Sequence, residues 1–374
     1  MKLCGYIEGF YGRIFDWNTR KKIVKNVFDK GMNTYLYAPK EDRRHRVYWK
    51  EDYPAEEKKM FDEIMDFANK RNCEFIPAIA PGLSYDYDDD YVFIKKKIIF
   101  FENAGAKSFA LTMDDISVIS PNPQKNLGVL HAELLKKIKD DFAGLQILFC
   151  PTVYANDLVN DKNCAEYLES LQKNIPENIL LLWTGDSTIS KEINKKSLSH
   201  AINLFEKNIV IWDNFYSIDY APNRIFVGNY ENRDREFCEK SCAGLLLNGT
   251  GLAITDEIIL EIFDAWIHNK NWTEEEIKNL LINFGVPQKL FDYMPAISSP
   301  YKKNYKLPND LCATDFFTEI VAKWQSPLKI EWYSALHAIF SEIRIANAKK
   351  PFSREWYAMR YLPGIVKRMT KNKF

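Results

Sequence analysis

The feature that most constrains this 374-residue chain is an alternation of eight short apolar runs with segments whose apolar residues recur every three or four positions. The runs are Leu3 to Ile7, Asn33 to Tyr37, Glu74 to Ala80, Ser108 to Met113, Gln146 to Pro151, Ile179 to Trp183, Asn208 to Trp212 and Gly244 to Leu247. Between them lie helical patterns such as Trp17 to Asp29, Ala55 to Lys70, Val92 to Asn103, Asn126 to Asp140 and Lys191 to Phe205. Parallel strands cannot be joined by a tight turn, so this alternation predicts parallel strands with crossover helices. Eight such units in roughly 250 residues fit an α/β fold of the closed (β/α)8 TIM-barrel kind. An open doubly wound sheet is the competing architecture, but the first run leads into Gly9-Phe-Tyr-Gly12 and not into a GxGxxG turn.

Beyond about residue 255 the pattern becomes helical, which predicts a barrel over 1–255 and a smaller C-terminal helical domain over 256–374. Thr273 with Glu276 forms a capping box, and Gly285 with Pro287 ends that helix. Ala296 to Asn309 reads as a link containing Pro and Ser. Thr314 to Trp324 and Ile330 to Ala348 read as further helices, and Lys367 to Lys373 as a basic end. This region could shape the site for a protein substrate, cover the barrel or form a homodimer contact, and the sequence leaves the three open.

Composition removes several functions. Lysine plus arginine balance aspartate plus glutamate at 51 each, so no net charge argues for nucleic acid or an anionic membrane surface. The seven cysteines are odd in number and contain no CxxC pair, and the five histidines contain no HExxH. A reduced compartment with buried thiols is therefore expected, with no metal centre and no cofactor. Met1 and Lys2 lead straight into the first apolar run without a signal peptide, and no run is long enough to span a bilayer. A cytoplasmic location follows as the expectation, with non-classical export left open. The sequons at Asn248 and Asn271 carry meaning only for a secreted chain. The acidic run Asp86 to Asp90 reads as a solvated loop entering a helix.

In a barrel the residues just after each strand converge on one face, where catalytic groups of this fold lie. Here they supply Asp, Asn, Lys, Tyr and Trp, with no Ser-His or Cys-His arrangement, a set suited to sugar chemistry. The central pair is Asp114-Asp115, at the end of SFALTMDD. Successive strand side chains face opposite ways, so two neighbouring carboxylates at a strand end meet different environments and can hold different protonation states. An Asp after a strand is also a common helix cap, and the pair alone leaves that reading open. Gly9 and Gly249 would admit a ligand close to the backbone or serve a turn.

The blocks CGYIEGFYGR, MNTYLYAPKED, FALTMDDI, LFCPTVY, LLWTG, IVIWDNFYSIDY and GLLLN together resemble the catalytic barrel of glycoside hydrolase family 84, the protein O-GlcNAcases and related β-N-acetylglucosaminidases. The resemblance runs from about residue 3 to about residue 250 and covers all eight strand exits. It implies a retaining hydrolase in which the substrate's own 2-acetamido oxygen attacks the anomeric carbon to give an oxazoline. It further implies that Asp114 holds the acetamido N–H and that Asp115 is the general acid and base. Asp219 would take the 4- and 6-hydroxyls, Asn248 a further hydroxyl, and Lys40 the 3-hydroxyl beside the carbonyl of Gly9. Tyr154 and Asn214 would position the acetamido group, Tyr11 and Trp212 would form aromatic walls, and Cys150 would lie under the N-acetyl methyl. Trp212 could equally be barrel core, Lys40 a surface charge and Cys150 an inert thiol. The expected partner is a GlcNAc-bearing protein or glycoconjugate. The alternatives are a silent glycan-binding protein of the same fold and a hyaluronidase-like hexosaminidase. The Gly-Thr-Gly after Asn248 departs from relatives that carry Pro there.

Overall fold

A computed structural model describes residues 1–296 and 312–347. The eight apolar runs are strands: β1 (Leu3–Glu8), β2 (Thr34–Tyr37), β3 (Glu74–Ile79), β4 (Ser108–Thr112), β5 (Gln146–Cys150), β6 (Leu180–Trp183), β7 (Ile209–Asp213) and β8 (Gly244–Asn248). All pair in parallel in chain order, and β1 pairs with both β2 and β8, so the sheet closes on itself. The helices that follow the strands are α1 (Trp17–Asp29), α2 (Ala55–Asn69), α3 (Tyr91–Asn103), α4 (Leu127–Asp141), α5 (Lys162–Asn174), α6 (Ser199–Phe205), α7 (Arg235–Ser241) and α8 (Ala253–Ile267). This is the (β/α)8 TIM barrel that the alternation predicts.

Inside the barrel, alternate strand residues form one apolar plug that includes Leu3, Ile7, Leu36, Ile76, Leu148, Leu182, Val210, Trp212 and Leu246. Each such large side chain taken out of water contributes about 1.5–3 kcal/mol. Ala38, just after β2, with Ala78 of β3 and Ala110 of β4, also belongs to this plug. Local signals set the helices: the Asp16 carboxylate accepts from the N–H groups of Asn18 (2.8 Å) and Thr19 (2.9 Å) to start α1. Asn126 starts α4 in the same way through Gly128 N–H, at 2.7 Å.

Two local expectations change. Lys191 to Phe205 is helical only from Ser199, because Ile193 forms a bridge with Arg233 and the Asn194 side chain takes the N–H groups of Lys196 and Ser197. Those side-chain bonds offer the backbone an alternative to the helix. In the acidic run, Asp90 is buried: it accepts from the N–H of Asp86 and pairs with Lys50 at 2.6 Å, whereas Asp86, Asp88 and Asp89 are exposed.

The described chain divides into two compact units, Met1–Phe215 with Glu231–Gly251, and Tyr216–Tyr230 with the chain from Leu252 onward. In the second, α9 (Glu274–Asn283) begins with the expected capping box. Residues 313–315 are α-helical and Phe316–Val321 continues as a π-helical turn where one α-helix was expected. A last helix spans Pro327–Asn347, and its Glu331 carboxylate caps α8 by accepting from the N–H groups of Ile254 and Thr255, each at 2.9 Å. Tyr230 packs edge-on against Phe263 and Trp266. Most of the expected 296–309 link and all of the 367–373 basic end lie outside the described residues. Among the described residues, no helix is long and apolar enough to cross a membrane.

Candidate active site

The residues after β2 and β4 build the charged centre of the barrel mouth. Lys40 follows β2, and its ammonium donates to Oδ2 of Asp114, two residues past the end of β4. The Lys40 side chain is 2% exposed and that of Asp114 10%, so this ion pair is no surface contact. Oδ1 of Asp114 is buried with no hydrogen-bond partner. Burial alone would push this carboxyl up, but the adjacent Lys40 charge and its hydrogen bond outweigh burial and hold it below the usual carboxylate range. Asp114 is thus an anion at neutral pH with one oxygen held and one bare.

Asp115 is exposed, and its environment does differ from that of Asp114. The cause is not strand alternation, because β4 ends at Thr112 and the pair sits in a turn. Asp115 adopts φ +59°, the left-handed region that a side-chain-bearing residue enters at a cost. Its carboxylate sits between two phenols. The Tyr11 hydroxyl, from the loop after β1, donates to Oδ2, and the Tyr154 hydroxyl, from the loop after β5, donates to Oδ1 at 2.8 Å. Burial first, then the negative charge of Asp115, drive both phenols well above their ordinary value, so both remain donors. The Tyr11 ring also lies 5.7 Å from the Lys40 ammonium and 5.1 Å from the Arg46 guanidinium.

Opposite these groups, Asn214 joins the ends of β7 and β8. Its Oδ1 accepts from Trp212 Nε1 at 3.0 Å and from Asn248 Nδ2 at 2.9 Å, and its Nδ2 donates to the Thr188 carbonyl at 2.7 Å. Asn248 Oδ1 in turn accepts from Gly9 N–H at 3.1 Å. Trp212 belongs to the barrel plug and is 6% exposed, with its ring 5.8 Å from the Lys40 ammonium. Gly9 and Gly249 are explained from within the protein: a Cβ on Gly9 would lie 2.4 Å from the Trp212 ring, and one on Gly249 1.8 Å from the Tyr6 hydroxyl oxygen. Cys150 lies in the plug with Tyr154 packed against it, and burial, with Asp114 nearby, raises its thiol well above the ordinary range. Asp219 belongs to the second unit, where its carboxylate accepts from Tyr220 N–H at 2.9 Å.

Against known proteins, a family model described as beta-N-acetylglucosaminidase matches residues 4–280. This chain belongs to that family of glycoside hydrolases. It is also similar to the protein O-GlcNAcases of Rattus norvegicus and Mus musculus, 33% identical to each over 254 residues. The alignments cover 66% of this chain and 28% of each relative, so the matched region is a minor part of those proteins.

Against this family background, three residues at the mouth had no reading in the sequence. Arg46 covers one face of Tyr11, and the Thr188 carbonyl fixes the Asn214 amide. His45 is fully buried, with Nδ1 2.8 Å from the Ala78 carbonyl. A carbonyl only accepts, so Nδ1 carries the proton and Nε2 keeps its lone pair, buried and without a partner. Burial, aided by the positive Lys40, lowers this imidazole to about 4. No local motif announces any of the three, since each acts through a contact between distant loops.

Proposed function

We propose that this chain is a retaining β-N-acetylglucosaminidase that removes O-linked N-acetylglucosamine from Ser or Thr of proteins by substrate-assisted catalysis. The observation that carries the reading is Asp114: an ionised carboxylate whose Oδ2 is fixed by Lys40 while Oδ1 is buried with no partner. Leaving such an acceptor unmet costs about 1–3 kcal/mol, and a donor brought by a ligand recovers it. An acetamido N–H is such a donor. Accepting it makes the amide oxygen more electron-rich, and that oxygen then attacks the anomeric carbon, closing the oxazoline as the glycosidic bond breaks.

Asp115, one residue on, protonates the departing oxygen in this scheme and then takes a proton from the water that opens the oxazoline. Both its oxygens are held by phenols in the structure, so one of those contacts yields to the glycosidic oxygen when substrate enters. Two carboxylates with fixed and different surroundings suit a division of labour in which only one carries a mobile proton. Asn214, Asn248, Tyr154 and Lys40 would then hold the sugar, with the thiol of neutral Cys150 against the acetyl methyl. The protein substrate is proposed from what the O-GlcNAcase relatives are named for.

The test uses aryl β-N-acetylglucosaminides with a graded series of N-fluoroacetyl groups. Fluorine weakens the amide oxygen as a nucleophile, so kcat/KM falls steeply with each added fluorine if that oxygen attacks. A flat series would overturn the substrate-assisted route.

A further inference from the structure

Strands β4 and β5 end at Thr112 and Cys150, which face each other across the sheet. The two segments stay joined beyond that point. Met113 N–H donates to the Cys150 carbonyl at 2.8 Å, the Thr152 hydroxyl donates to the Met113 carbonyl at 2.9 Å, and the Tyr154 hydroxyl donates to Asp115 Oδ1 at 2.8 Å. These contacts come from every second residue after β5 ends. Where the backbone ladder stops, two side-chain hydroxyls thus carry the pairing on into the turn that holds Asp114 and Asp115.

The middle contact bears on the backbone of that turn. Met113 is fully buried and directly precedes Asp114, and Thr152 is 7% exposed. A buried carbonyl needs a donor, and the Thr152 hydroxyl is the donor this one has. The Met113 carbonyl and the Asp114 N–H belong to one planar peptide unit, so holding the carbonyl also sets the direction in which the chain enters Asp114. We propose that Thr152 is a positioning residue, whose hydroxyl holds the Asp114-Asp115 turn in the orientation that turnover requires. The proposal rests on the reading of the two carboxylates given above and adds what keeps them in place.

Thr152 is itself supported from behind. Its N–H donates to the Tyr167 hydroxyl oxygen of α5 at 3.1 Å, and that oxygen lies 2.9 Å from Nδ1 of His131 on α4. Tyr167 and His131 are both fully buried. The two helices come this close at Gly128, where a Cβ would lie 2.2 Å from the Tyr167 carbonyl oxygen. Burial lowers His131 to about 3, so its ring is neutral. If Nδ1 accepts the Tyr167 proton, only Nε2–H goes unmet; if Nδ1 donates, both the Tyr167 proton and the Nε2 lone pair go unmet. The first arrangement is the cheaper one. In it the Tyr167 hydroxyl donates to His131 and accepts from Thr152, so two helices brace the residue that braces the turn.

The experiment compares the wild-type chain with Thr152→Val, which keeps the shape and loses the hydroxyl, and Thr152→Ser, which keeps the hydroxyl. Each is assayed on an aryl β-N-acetylglucosaminide, with urea unfolding alongside. Thr152→Val should lose about 10- to 100-fold in kcat with KM little changed, because a small misplacement of reacting groups costs that much. Thr152→Ser should keep most of the wild-type kcat. A hydroxyl that only stabilised the fold would lower the urea midpoint and leave the kcat of folded enzyme intact. Unchanged kcat in Thr152→Val, or a Thr152→Ser variant as slow as it, would overturn the proposal. Should Thr152→Val not fold, Tyr167→Phe releases the Thr152 N–H from the other side and takes its place: kcat must fall while KM holds. If the wild-type chain leaves the aryl glycoside intact, the glycosidase reading fails separately, and the hold on the turn is then read by NMR. The chain has two Met-Asp pairs, Met65-Asp66 and Met113-Asp114, so isotope labelling of methionine carbonyls and aspartate nitrogens gives one peak for each. The Met113 carbonyl peak should move in Thr152→Val and return in Thr152→Ser, with Met65 of α2 as the fixed reference. An unmoved Met113 peak would overturn the proposal.

Discussion

Two buried ion pairs sit near the same rim of the barrel, and they differ in one respect. Glu8, at the end of β1, has both oxygens filled: Oε2 accepts from Arg20 Nε and the Tyr35 hydroxyl, each at 2.7 Å, and Oε1 from Arg20 Nη2 at 2.9 Å and Phe15 N–H at 3.4 Å. Asp114, at the end of β4, has one oxygen filled by Lys40 and one bare. Burial and charge are alike in both, so neither separates structure from chemistry. The unfilled valence does. A saturated pair holds the chain together, whereas under the reading proposed here the unsaturated one keeps a place for a ligand at some cost to the fold.

The largest effects expected from this contrast are catalytic. Asp115→Asn should lower kcat/KM by about 10²–10⁴ on poor leaving groups and far less on activated aryl glycosides. Asp114→Asn should lower it by about 10²–10³ whatever the leaving group, because the nucleophile is weakened. Steady-state kinetics over a leaving-group series reads both, and equal slopes for the two variants would erase the distinction between the carboxylates. Next comes Arg20→Met, which leaves Glu8 charged and unpaired and should cost about 3–5 kcal/mol in urea unfolding. The fraction that folds should keep its kcat/KM. A catalytic loss as large as that of Asp114→Asn would mean that saturation does not mark the structural pair.

A smaller effect lies in pH. Lys40 holds Asp114 low, so activity that needs the anion is lost only as pH falls through that depressed value. Lys40→Met removes the charge, and the acid limb of kcat/KM should move to higher pH. Stability has its own acid limb: burial lowers His45 to about 4 and His131 to about 3. The unfolded chain takes up their protons near 6.5, so stability is full above that pH and falls as pH drops from about 6.5 toward these values. In His131→Phe, urea midpoints should decline less between pH 6 and about 4. The least effect belongs to the thiols: Cys150 should resist iodoacetamide at neutral pH while exposed Cys312 reacts, as mass spectrometry of peptides would read.

The strands were legible because a strand that is apolar on both faces writes itself as a short continuous run, and each observed strand ends within one residue of its run. The residues after each strand were legible for the same reason, since strand ends fix their place at the mouth. The bonds among those residues were not. That Tyr11 and Tyr154 close on Asp115, or that Asn214 ties Trp212 to Asn248, depends on the ends of five strands meeting in space. Sequence likewise left Gly9 and Gly249 to a ligand's close approach or to a turn, whereas the crowding comes from Trp212 and Tyr6. The helix expected from Lys191 failed because a three-residue bonding pattern at Asn194 competes with it, and apolar spacing is blind to such bonds.

The left-handed backbone of Asp115 also decides how that position should be edited. Asparagine tolerates the conformation through its short polar side chain, but alanine there carries about 1–2 kcal/mol of steric cost. An alanine replacement would blend a strained turn with the loss of the proposed proton donor. The isosteric amide removes the proposed proton donor alone, and glycine relaxes the turn without adding bulk. Measured side by side, these two replacements separate what the loop's shape contributes to turnover from what its acid contributes.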